Sequence, residues 1–144
     1  MYRKVTQEII GKLEKIVGQK NLIFDPEKME DYSHDEFSLR DIANMPELVV
    51  KPGKTEEVAE ILHLANEENI PVTPRGGATG MAGGCVPFYG GIVLSLENMN
   101  RILEVDLDNQ MAVVEAGVML SEFYEAVEEA GLFFPPHPGE ESAM

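Results

Sequence analysis

A chain of 144 residues is one domain's worth of protein or a piece of a larger one, and folding at that size removes roughly two-thirds of the unfolded surface from water. Hydrophobic residues make up 44% of it, which excludes a disordered or fibrous class. Acidic residues outnumber basic ones 26 to 11, and the resulting charge of −15 repels phosphodiester backbones and anionic membranes, so the composition speaks against nucleic-acid binding.

From the N-terminus, Thr6 is placed to cap a helix whose Ile9, Ile10, Leu13, Ile16 and Val17 share one face, and Gly18 stops it. Asp25 and Pro26 start a short second helix. Tyr32 to Asn44 has no clear period and reads as a loop. Leu48 to Val50, ended by Pro52-Gly53, suits a buried strand. Thr55 is expected to cap a helix with Val58, Ile61, Leu62 and Ala65 facing inward and Glu56, Glu57, Glu67 and Glu68 facing water. A second strand, Ile70 to Pro74, runs into glycines, so strand, helix and strand predict a parallel pair with a right-handed crossover. Past Gly90, three β-type runs (Ile92 to Leu94, Ile102 to Val105, Met111 to Val114) suggest the chain leaving this unit, the last two as a hairpin. A last helix carries Leu120, Phe123, Tyr124 and Val127 and ends at Gly131, before a tail extended by its prolines. No run of 18 apolar residues spans a membrane. With one cysteine, Cys85, and no signal-type N-terminus, the expectation is a cytoplasmic protein.

The segment Arg75-Gly76-Gly77-Ala78-Thr79-Gly80, followed by Met81-Ala82-Gly83-Gly84, places five glycines in ten positions directly after a strand. Glycines allow positive φ and let backbone N–H groups turn into a concave nest, which binds a diphosphate through neutral donors. With Arg75 close by, such a nest holds an anion despite the acidic surface. A tight turn would account for two of the glycines and leave the rest unexplained. No register of them supplies the G-x-G-x-x-G dinucleotide fingerprint. Gly53-Lys54-Thr55 mimics the end of a P-loop, but the upstream glycine position is Leu48.

Pro74 to Gly80, then Gly83-Gly84-Cys85-Val86-Pro87 and Gly90 to Leu94, resemble the FAD-binding domain shared by vanillyl-alcohol oxidase, D-lactate dehydrogenase and the flavin subunit of glycolate oxidase. Met99 to Ile102, Val113 to Gly117 and Phe133 to Gly139 continue the likeness in order. The resemblance implies an α+β fold, a PCMH-like FAD-binding domain of type 2: a βαβ lobe, then the start of a second, mainly antiparallel lobe. Residues 1–45 would form an N-terminal helical segment and loop, and 46–144 an incomplete FAD-binding domain. It further implies that Arg75, Gly76, Gly77, Ala78, Thr79 and Gly80 wrap the FAD diphosphate, with Gly83 and Gly84 near it. Pro136, His137, Pro138 and Gly139 would be a further flavin contact. Some relatives attach the flavin through a histidine where this chain has Thr79, so a non-covalent FAD is expected.

The whole protein is then expected to oxidise a small 2-hydroxy acid, of D-lactate or glycolate type, to the 2-oxo acid. The electron acceptor is left open by these residues. The second glycine-rich stretch and substrate domain of such relatives are absent, so the chain reads as truncated, catalytically silent alone and prone to self-association. Rival readings are an alcohol or sugar oxidase, a cell-wall precursor reductase on the same domain, or a non-catalytic acidic interaction module. Elsewhere, Cys85 reads as a small buried residue without an adjacent basic group, and His34 as part of a solvated acidic loop. His63 reads as a boundary histidine, and Met81, Met99, Met111 and Met119 as gap-filling core or loop residues. Met119 stands where relatives carry a capping Thr, at a cost of about 1 kcal/mol.

Overall fold

The computed structural model describes residues 2–36 and 42–136. Helix α1, Gln7–Val17, begins where Thr6 Oγ1 accepts from the Ile9 amide and ends at Gly18, whose φ is 79°. After it come strand β1, Leu22–Ile23, and the short helix α2, Pro26–Met29, capped by Asp25. Next are β2, Leu48–Val50, helix α3, Thr55–Glu67, β3, Val72–Arg75, and β4, Ile92–Ser95. The order across this four-stranded sheet is β1-β2-β4-β3, with β1 antiparallel to β2 and the other three parallel.

Side chains alternate across a strand, and the core divides accordingly. Leu48, Val50, Ile92 and Leu94 pack with Ile9, Leu13 and Val17 of α1 and Ile61 and Ala65 of α3. Val49 and Val93 point the other way, onto Met29 and the half-buried Tyr32. All four residues of β4 are buried, which suits a parallel strand covered on both faces. Each such Val, Leu or Ile contributes about 1.5–3 kcal/mol by leaving water.

Three expectations need correction. β2 and β3 run parallel but are not neighbours: β4, assigned from sequence to a later piece, lies between them, where Ile92, Val93, Leu94 and Ser95 are all buried. Helix α3 starts one residue too early for Thr55 to cap it, with Thr55 already its first helical residue. Lys54 holds the cap position without a side-chain bond, and the Glu57 carboxylate accepts from the Gly53 amide instead. Leu62 is exposed while Leu64 packs on the core, and Glu68, far from facing water alone, holds Arg3 and Lys12 at 2.7 and 2.8 Å.

The second region is a ribbon of β5, Ile102–Asp106, and β6, Met111–Val114, paired antiparallel as predicted, with a register irregularity between Ile102 and Glu104. Arg101 closes its base on Glu115 through two guanidinium bonds of 2.6 and 3.1 Å. The chain then passes so close to the end of β4 that a Cβ on Gly117 would lie 2.0 Å from the Leu96 carbonyl oxygen, so only glycine fits. Helix α4, Leu120–Glu129, follows, and Met119 occupies its cap position without a side-chain bond, as expected. Of its apolar face only Val127 is buried. Phe123 meets Phe134 edge-on at 4.9 Å. Of the methionines, Met99 is core, while Met81, Met111 and Met119 are exposed.

Candidate functional site

The glycine loop leaves the carboxyl end of β3, beside the carboxyl end of β4, which is where open parallel sheets receive ligands. Arg75, Gly76, Gly77, Ser95, Asn100 and Gly117 all line a cleft of about 390 Å3. The near approach at Gly117 brings the returning chain against Leu96, at the end of β4.

Within the loop, the positive φ values fall on Ala78 (59°) and Gly83 (75°). Gly83 is buried, and a Cβ there would press on the Phe88 ring at 3.2 Å. Gly80 and Gly84 differ: both are exposed, and a Cβ on either would meet no protein atom within 4 Å. The fold has no need of glycine at these two positions. A bound group approaching the backbone would. The amides of Gly76, Gly77, Thr79 and Gly80 take no partner among the described residues and so can donate outward. Neutral donors clustered on a loop whose glycines Gly76, Gly77 and Gly80 are exposed fit a diphosphate.

Arg75 does not stand free beside this row. Its guanidinium donates to the Asp31 carbonyl at 2.6 Å and to the His34 carbonyl at 2.7 Å, and it lies 5.3 Å over the Tyr32 ring. Lys51 approaches the same ring at 5.4 Å and pairs with Glu97, to which the Tyr32 hydroxyl also donates at 3.3 Å. Burial opposes the Lys51 ammonium, but hydrogen bonds with Glu97 and Tyr32 outweigh it and hold its pKa above the ordinary 10.5. Glu97, which also lines the cleft, is thus paired, and less of its charge reaches an incoming anion.

Sequence reasoning missed the contact between Tyr32 to Glu36 and this loop. Ser33 and Asp35 are buried, so the segment is not the solvated acidic loop expected of it. The His34 ring bonds the Asp35 carbonyl at 3.0 Å, and the described residues contain no cluster suited to a metal. Cys85 is half-buried, and Arg75 Nη1 lies 3.5 Å from its Sγ, so the expected absence of a basic neighbour is corrected as well. His63 is exposed and pairs with Glu67 at 3.4 Å. Pro136 lies beside α4, its carbonyl accepting from the Tyr124 hydroxyl. His137, Pro138 and Gly139 lie outside the described residues.

Among the described residues no helix is long and apolar enough to cross a membrane. The chain is 43% identical to a D-lactate dehydrogenase of Anaerostipes hadrus, over 99% of its own length and 30% of that protein's. It is 36% identical to the glycolate oxidase subunit GlcD of Bacillus subtilis (strain 168), over 93% of its own length and 28% of the relative's. The chain thus spans less than a third of the length of these relatives. A solved alkyldihydroxyacetonephosphate synthase superposes with a TM-score of 0.85 at 22% identity, over 99% of this chain and 31% of that one, a likeness of fold. The family model described as FAD binding domain matches residues 46–143, and the chain belongs to that family.

Proposed function

We propose that this chain is the FAD-binding part of a flavoprotein that oxidises a small 2-hydroxy acid, of D-lactate or glycolate type, to the 2-oxo acid. The observation that carries the reading is the loop Gly76 to Gly84, with four amides that take no partner among the described residues and two glycines that the fold itself does not require. The substrate class rests on the identity to the D-lactate dehydrogenase and to the glycolate oxidase subunit.

In this reading Gly76, Gly77, Ala78, Thr79 and Gly80 cradle the diphosphate, and the Thr79 hydroxyl adds a donor. Gly83 and Gly84 flank it, Pro136, His137, Pro138 and Gly139 add a further contact, and Arg75 sets the loop's position. A flavin bound there supplies the two-electron oxidation of the hydroxy acid. The protein's own work is to bind the cofactor without spending a charged side chain, and to orient it against the ends of β3 and β4. The cofactor is held non-covalently, so acid precipitation releases all of it.

An FAD titration followed by quenching of flavin fluorescence tests the reading. Saturable binding that is lost in Gly77→Leu is the expected result, and equal binding by Gly77→Leu would sink it. The 144 residues taken alone are expected to turn over neither D-lactate nor glycolate, and measurable turnover would overturn that. We also propose that they self-associate through the exposed ribbon. A clean monomer at high concentration in sedimentation would count against it.

A further inference from the structure

Residues 31–36 precede the span matched by the family model, yet they hold the glycine loop at three points along its length. At its start, Arg75 donates to the carbonyls of Asp31 and His34, 44 and 41 residues earlier, at 2.6 and 2.7 Å. In its middle, the Glu36 amide donates to the Ala78 carbonyl at 2.9 Å. Near its end, the Gly83 amide donates to Asp35 Oδ2 at 2.6 Å. Gly83 and Asp35 are both buried, the latter 2% exposed.

Burying a carboxylate is costly unless it is hydrogen-bonded. A purely packing position would favour an apolar side chain, whereas this one places an acceptor on a backbone amide at one of the loop's two positive-φ residues. Ala78, the other, is the residue whose carbonyl is held by Glu36. Both points at which the loop reverses its backbone are therefore tied to the same short segment. Neither of these two residues lines the cleft, and the amides of Gly76, Gly77, Thr79 and Gly80 take no partner among the described residues.

We propose that Asp35 and Arg75 are positioning residues that latch the glycine loop in its anion-binding shape, so that the segment before the matched domain sets the affinity for a diphosphate-bearing flavin. The diphosphate part rests on the reading of the loop as an FAD cradle. The latch itself does not.

The test compares the 144-residue chain with its Asp35→Ala and Asp35→Asn variants. Dissociation constants are measured for FAD and for riboflavin, which lacks the diphosphate, and amide exchange is followed at Gly83, with Val49 and Val93 as internal references for an intact fold. Asp35→Ala should bind FAD roughly tenfold more weakly, the order expected for losing a hydrogen bond to a charged acceptor. Riboflavin binding should not change, and Gly83 exchange should rise while Val49 and Val93 stay protected. Asp35→Asn keeps an acceptor, so it should retain Gly83 protection and bind FAD within about threefold of the parent. Equal Gly83 exchange and equal FAD affinity in the parent and Asp35→Ala would overturn the latch, as would parallel losses of FAD and riboflavin.

Should Asp35→Ala lose protection at Val49 and Val93, Arg75→Lys carries the test, since it keeps the charge but not the two-pronged fork. Exchange at the Glu36 amide should then rise, and unchanged exchange overturns the latch. If the parent chain binds no FAD, the flavin reading fails, and amide exchange alone decides the latch.

Discussion

The four-stranded sheet and the two-stranded ribbon are built from equally apolar strands, yet they end in opposite environments. Leu48, Val49 and Val50 have no exposed surface, whereas Leu103, Met111 and Val113 keep more than half of theirs. The difference lies in cover. Two helices and a short third element close on the first sheet, but the ribbon's Leu103, Met111, Val113 and Val114 stay exposed. Hydrophobicity in a strand is therefore stabilising only where another layer reaches it, and the two regions should respond very differently to the same kind of change.

The largest contrast is expected from truncating one side chain in each. Ile61→Ala empties a fully buried site and should cost about 2–5 kcal/mol in chemical denaturation. Leu103→Ala, on a side chain 56% exposed, should stay within about 0.5 kcal/mol. Equal losses would mean that the ribbon is covered in solution, as self-association would achieve.

Amide exchange should rank the regions in the same way, with β2 and β4 opening only on global unfolding and β5 and β6 opening locally. Uniform protection across both would break the comparison.

Acid sharpens it further. The Glu68 carboxyl is held below its ordinary 4.5 chiefly by its hydrogen bond from Lys12, and Glu115 below the same value chiefly by Arg101. A lowered folded value means that the unfolded chain binds the proton more tightly. Each contribution is therefore complete above the ordinary carboxylate range and lost as pH falls through the lowered value. Melting temperatures of the parent and Glu68→Gln should differ at neutral pH and converge in acid. For Glu115→Gln the same convergence should show in ribbon amide exchange. A gap that persisted in acid would rule out the charge as its source.

The smallest effect is a gain. Met119→Ser restores a cap to α4 and should add about 0.5–1 kcal/mol, read as a small rise in melting temperature.

These contrasts match what could be read from the sequence. Thr6, Gly18, Asp25 and Pro26 act locally, through groups a few residues away, and marked the helix ends correctly. The end of β3 at Arg75 was legible because the glycines that follow break the strand. The position of β4 was not, because the three-residue apolar run Ile92 to Leu94 says that a strand is buried but not which strands flank it. Nor was the burial of Asp35, whose partner amide is 48 residues away and whose neighbours are polar. The Arg75 fork and the Cys85 contact have the same cause: each joins groups far apart in the chain, which no local pattern records.

The late arrival of β4 has a consequence for how the molecule is made. β2 and β3 each pair with it and not with each other, so a nascent chain that has reached Arg75 carries two finished strands with an empty slot between them. The slot fills only when Ser95 has left the ribosome, and until then both flanking edges are open to pairing with other chains. The cleft at the end of β3 shares that delay, because Ser95, at the carboxyl end of the missing strand, is one of the residues that line it. Completion of the cleft and protection from misassembly thus arrive in the same few residues of synthesis.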